Sequence, residues 1–130
     1  MIVLDASAAL DWLLQTSAGQ RIEDRIYLRN ESLHTPHLFD LEVTQVLRRL
    51  VRQGVVPVQR ADQAVRDLLD LRIHRYAPWV LLPRIWELRH NFSAYDAAYI
   101  TLAEVLGAAL VTRDARLASF SGHAPTIELF

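Results

Sequence analysis

Blocks of apolar and polar positions succeed one another along the chain in a way that predicts strands and helices in turn. Ile2-Val3-Leu4 is a short, largely β-branched run ending at Asp5, and the Ala- and Leu-rich stretch from Ala6 to Gln15 reads as a helix. A polar helix with Arg21, Arg25 and Arg29 on one stripe follows, then a brief second strand over Ser32 to His34. Thr35 and Pro36 supply an N-cap and a first-turn proline for a helix carrying Leu38, Leu41, Val46, Leu47 and Leu50, which Gly54 ends. Another helix is expected from about Val58 to Leu71, and a third strand over Ile73 to Ala77. Pro78 opens a helical segment over Trp79 to Arg89, and Ser93 caps a helix reaching Leu106 before Gly107. Ala108 to Thr112 is a buried-strand run that ends near Asp114; a short helix comes next, and Pro125 to Leu129 fits a last edge strand.

This alternation predicts an α/β sandwich, with helices flanking a mainly parallel sheet linked by right-handed crossovers. In such sheets a ligand crevice lies beyond the carboxyl ends of the strands. Asp5 and Asp114 each follow a predicted strand, so both are expected at that crevice. The chain has 130 residues, 52% of them hydrophobic, which suits one domain spanning residues 1–130. It has no cysteine, so disulfides and Cys-based zinc sites are excluded, and a cytoplasmic setting fits. No basic leader precedes Ile2 and no uncharged run reaches the ~20 apolar residues of a membrane helix, so a soluble, unprocessed protein is expected.

The net charge of -1 gives no overall positive field, so attraction to nucleic acid would have to come from local patches or a metal. All fourteen basic residues are Arg, which rules out mechanisms needing a lysine amine. Four acids are candidates for chemistry, and each also has an ordinary structural reading. Asp5 and Asp114 stand where helix N-caps are favoured. Glu42 lies one turn into its helix, where a carboxylate stabilises the dipole, and Asp96 follows Ser93 by three residues as in a capping box. If the four meet, their repulsion calls for a cation, and an all-oxygen donor set favours Mg²⁺ or Mn²⁺. Such ions suit phosphodiester hydrolysis by activated water.

Four short motifs in order carry a family resemblance over nearly the whole chain. They are Asp5-Ala6-Ser7; Leu41-Glu42-Val43 with Leu47-Arg48-Arg49; Ser93-Ala94-Tyr95-Asp96-Ala97-Ala98-Tyr99; and Leu110-Val111-Thr112-Arg113-Asp114 with Leu117-Ala118. Together they resemble the PIN domain, and the length and the Arg-Arg pair look most like VapC, the toxin half of bacterial toxin-antitoxin pairs. The resemblance implies a PIN-like three-layer α/β/α sandwich and a metal-dependent endoribonuclease. Asp5, Glu42, Asp96 and Asp114 would hold one or two Mg²⁺ or Mn²⁺ ions, Asp5 and Asp96 foremost as direct ligands. Ser7 and Thr112 match supporting hydroxyls near that site.

Arg113 and Arg116 flank Asp114 and are candidates for substrate contact, against the alternative of structural ion pairs. The resemblance further implies a VapB-type antitoxin that inserts a basic residue among the acids, an RNA substrate and a homodimer. Trp12, Leu13 and Leu14 are candidates for lining an antitoxin groove, with core burial as the alternative. Two departures stand out: Gln45 replaces the Asn that such toxins often carry, and Arg116 replaces an acid found in some PIN proteins, which leaves a second metal in doubt. Receiver-like and haloacid-dehalogenase-like phosphotransfer folds also begin with a strand ending in Asp, but they need a lysine that this chain lacks. No P-loop exists. The alternative function is a catalytically silent PIN-fold module that binds RNA or protein.

Overall fold

The computed structural model describes residues 1–119 and 125–130. The first apolar run forms a strand because its residues can be buried on both faces of a sheet: β1 (Ile2–Leu4) is fully enclosed. It is followed by α1 (Ala6–Leu13), α2 (Ser17–Leu28), β2 (Leu33–Pro36), α3 (Leu38–Arg52), α4 (Val58–Asp70) and β3 (Ile73–Tyr76). The chain continues through α5 (Leu82–Glu87), α6 (Ala94–Leu106), β4 (Ala109–Thr112), α7 (Ala115–Ala118) and β5 (Ile127–Leu129). The strands form one sheet in the order β3-β2-β1-β4-β5, and every pairing is parallel.

From β1 the chain steps outward through β2 to β3, then crosses back to β4 on the other side of β1. With right-handed crossovers this reversal puts α1–α4 and α5–α7 on opposite faces, which is the expected three-layer α/β/α sandwich. α6 packs on β1, β2 and β4, and its residues from Ala97 to Ala103 are buried without interruption. A helix apolar all round can hold only this central place. Its ends follow the expected signals: the Ser93 hydroxyl accepts from the Asp96 amide, and Gly107 turns the chain at φ 60°. Among the described residues no helix is long and apolar enough to cross a membrane.

Two elements differ from the sequence expectation. Thr35 and Pro36 do not cap and open α3 but end β2, pairing with Arg75 and Tyr76. A residue before proline is pushed to extended backbone, and the Thr35 hydroxyl donates to the Leu4 carbonyl, so the strand gains what the helix loses. The segment from Trp79 to Arg89 is likewise not one helix. It is a 3₁₀ turn at Pro78–Leu81, then α5, then a second 3₁₀ turn at Leu88–His90. Pro83 has no amide to continue a helix begun upstream and fits the first turn of a new one.

The stripe of Arg21, Arg25 and Arg29 is not uniformly solvated either. Arg25 turns inward, donating to both oxygens of Glu128 at 2.8 and 2.9 Å and to Glu31 at 2.7 Å, which ties α2 to the edge strand β5. Trp12 and Leu13 are buried in the core; of the three apolar residues considered for a groove, only Leu14 is partly open.

Close packing of α1 on α2 depends on Gly19. A Cβ placed there would lie 1.9 Å from the Asp11 carbonyl oxygen, a backbone atom that cannot swing aside. Gly19→Ala is expected to cost about 2–3 kcal/mol, read as a lower urea midpoint at constant slope. An unchanged midpoint would mean that the two helices do not approach this closely.

Candidate active site

The sheet order explains how residues distant in sequence meet. β1 and β4 are neighbours at the point where the winding reverses, so Asp5 at the end of one strand and Thr112 to Asp114 at the end of the other share one crevice. Glu42 approaches from α3 and Asp96 from α6, one from each helical layer. All four acids, with Ser7, Asp11, Arg113 and Arg116, line an open cleft of about 570 Å³. Thr112 lies behind it, fully buried.

Asp5 is 7% exposed and makes no side-chain capping bond to α1, so the ordinary N-cap reading fails for it. Its Oδ2 instead accepts from the Ser7 hydroxyl and, at 2.7 Å, from the Thr112 hydroxyl. Both hydroxyls are fixed from behind. Ser7 Oγ accepts from the Arg113 amide at 3.0 Å, and Thr112 Oγ1 from the Asp114 amide at 3.0 Å. Burial raises the Asp5 carboxyl above its ordinary value against these two bonds, and the charge of Asp96 adds to the rise.

Glu42 accepts from the Tyr99 hydroxyl at 3.1 Å. Its carboxyl is pushed up to about 7, chiefly by burial, with the Tyr99 bond opposing and the charges of Asp5 and Asp96 reinforcing. Asp114 behaves differently: its side chain does cap α7, accepting from the Arg116 amide at 2.8 Å. The Arg116 guanidinium also binds it, with Nη2 2.6 Å from Oδ2, and holds its carboxyl below the ordinary range. The same Nη2 stands 3.9 Å from Asp96 Oδ2. Arg113, the other candidate for substrate contact, donates from Nε to Asp11 at 2.6 Å and from Nη1 to the Phe130 carbonyl.

The acids thus share a cleft without being gathered around one point. Among the described residues no group of three or more His, Asp or Glu side chains is arranged to hold a metal ion as it stands. Sequence reasoning missed Asp11, which anchors Arg113, and Tyr99, which orients Glu42. Tyr99 lies one turn after Asp96 on the same helix face, a spacing that could have suggested it. Also missed was a second cleft of about 620 Å³, lined by Arg89, His90, Asn91, Ser93 and Tyr95, which shares Glu42, Asp96 and Arg116 with the first. Sharing these residues, the two clefts adjoin as one trough over the carboxylates.

Comparisons with known proteins place the chain in a family. The PIN domain family matches residues 2–122. Ribonuclease VapC9 of Mycobacterium tuberculosis is 44% identical over 117 residues, covering 90% of this chain and 88% of that protein. Ribonuclease VapC12 of the same organism is 40% identical over 129 residues, covering 99% and 98%. The solved structure of VapBC2 from Rickettsia felis, bound to a DNA fragment from its promoter, superposes with a TM-score of 0.64 at 13% identity, covering 99% and 98%. The chain belongs to the PIN-domain family and is of its VapC type.

The raised Glu42 carboxyl has a consequence for stability in metal-free protein. Between about pH 4.5, its unfolded value, and about 7, the folded chain binds a proton that the unfolded chain has released. Its contribution to stability therefore falls as pH rises through that window and levels off above it. Glu42→Gln removes this component. Thermal melts in EDTA should show the variant gaining on the wild type from pH 5 to pH 8, and parallel curves would contradict the assignment.

Proposed function

We propose that the protein is a metal-dependent endoribonuclease acting as the toxin of a toxin-antitoxin pair. The observation that carries this reading is the convergence of Asp5, Glu42, Asp96 and Asp114 on one open cleft at the switch point of the sheet. Its VapC relatives are named ribonucleases, and each of the four acids lies in one of the sequence motifs that resemble the family's.

The residues fit a hard divalent cation. Every donor is oxygen, and burial and mutual repulsion already raise Asp5 and Glu42, a strain that a cation would relieve. Because the acids are not yet gathered, their side chains would have to turn inward to close round an ion. Asp5 and Asp96 would be the first to hold it, with Glu42 and Asp114 completing the site. When bound, Mg²⁺ or Mn²⁺ supplies Lewis acidity to an attacking water and to the scissile phosphate.

The chain's own residues do the positioning. Ser7 and Thr112 hold Asp5 Oδ2, and Tyr99 fixes the direction of Glu42. Glu42, whose carboxyl is raised in the metal-free cleft, would ionise as a cation binds and offer it a carboxylate oxygen. The trough gives RNA a path across the acids: Arg89, His90 and Asn91 line one arm, Arg49 and Arg113 the other. A VapB-type antitoxin would cover the same trough, with Leu41, Val46 and Tyr95 as an adjoining apolar rim. Self-association would be served by the exposed Trp79, Val80, Leu82 and Trp86 around α5.

Purified, partner-free protein should cut bacterial RNA into discrete fragments with Mg²⁺ or Mn²⁺. Cleavage should stop in EDTA and fall on the order of a hundredfold or more in Asp96→Asn. Folded, metal-bound protein that leaves RNA intact would favour instead a silent module binding RNA or protein.

In the Asp96→Asn background, Arg89→Ala should weaken RNA binding and reduce the slope of log affinity against log salt by about 0.7, the share of one phosphate contact. An unchanged slope would place the RNA outside this arm.

A further inference from the structure

We propose that Arg116 is an internal counter-ion of the carboxylate cleft, so that a divalent cation can join Asp114 to Asp96 only by displacing the Arg116 guanidinium. The inference rests on the metal-dependent reading above and concerns which of its ligands are available.

One nitrogen carries the argument. Arg116 Nη2 lies 2.6 Å from Asp114 Oδ2 and 3.9 Å from Asp96 Oδ2, so a positive group already stands at the edge of the cleft where these two acids face each other. Nε adds contacts of 3.1 and 3.2 Å to the two Asp114 oxygens, making the grip bidentate. A divalent ion bonded to Asp114 Oδ2 at about 2.0–2.6 Å on the side facing Asp96 would need the space that Nη2 fills. Ion and guanidinium therefore compete for the approach that joins these two acids.

The hold is built to be released. The Arg116 side chain is 79% exposed, and ion pairs in solvent are weak and readily exchanged. Asp114 does not lose its place when the guanidinium leaves, because the Arg116 amide still donates to Oδ1 and keeps the carboxylate capping α7. Among the described residues Asp5 and Glu42 form no ion pair or hydrogen bond with Arg116; their partners are hydroxyls, which a cation need not expel. The first ion thus goes to the Asp5 and Asp96 side, and binding that recruits Asp114 is held back by competition. Once displaced, Arg116 becomes available for a substrate phosphate in the same trough.

Mn²⁺ binding without RNA, followed by the electron paramagnetic resonance of free Mn²⁺, tests this directly. Arg116→Ala should tighten the Mn²⁺ binding that depends on Asp114 by about threefold to tenfold. In the Asp114→Ala background the same substitution should give a clearly smaller gain, set by the longer Arg116–Asp96 contact alone, and Arg89→Ala, which removes a charge farther along the trough, should give no comparable gain. A merely structural loss at Arg116 would weaken binding rather than tighten it, and circular dichroism melts confirm that each variant is folded. Equal affinity in wild type and Arg116→Ala, or an equal gain from Arg89→Ala, overturns the inference while leaving metal dependence intact. Absence of Mn²⁺ binding in every variant overturns both.

Discussion

A carboxylate buried at the end of the central strand is the feature on which the rest of the site depends. Asp5 follows the fully enclosed β1, and its backbone position would suit a helix cap, yet its side chain makes no capping bond and accepts instead from the Ser7 and Thr112 hydroxyls. Burying an ionisable acid is costly unless it is hydrogen-bonded or paired. The two hydroxyls offset only part of that cost, since the Asp5 carboxyl remains raised. Their own positions come from amides on the β4 side of the switch point, so the local arrangement exists only because β4 lies beside β1. The sheet order is thus a requirement of the chemistry, not a background to it.

Around that acid the protein accumulates negative charge and leaves it incompletely matched. Glu42 is held near neutrality by burial and by its acidic neighbours, while Asp114 is settled by Arg116. On the proposed reading the site stands between two cations: Arg116, which pairs with Asp114 in the metal-free protein, and a divalent ion, which would draw the acids together. The proposed ion, a phosphate chain and an antitoxin residue would all enter the same exposed trough, since each presents the charge or donors that the cleft lacks or the arginines seek.

Much of this was legible in the sequence because strand ends and helix signals are local. Asp5, Asp114, the Ser93 cap and Gly107 could be placed from neighbours alone, and strand alternation was enough for a parallel three-layer fold. What was not legible depends on long-range contacts. Thr35 and Pro36 were expected to start a helix, but β3 and the Leu4 carbonyl recruit them into the sheet. The long helix expected over Trp79 to Arg89 is divided at Pro83, a breaker whose effect the apolar spacing concealed. The inward turn of Arg25 toward Glu128, and the ties of Arg113 to Asp11 and Phe130, join residues about a hundred positions apart or at the chain's far end. No periodicity encodes such pairs, and so the arginines nearest the site could be named but not assigned.

The central claim is that the fold brings these acids together to hold a divalent cation. Anomalous diffraction from crystals grown with Mn²⁺ tests it most directly. The account predicts a manganese peak in the cleft within bonding distance of Asp5 and Asp96. Peaks confined to other parts of the surface, or none at millimolar Mn²⁺, would contradict it.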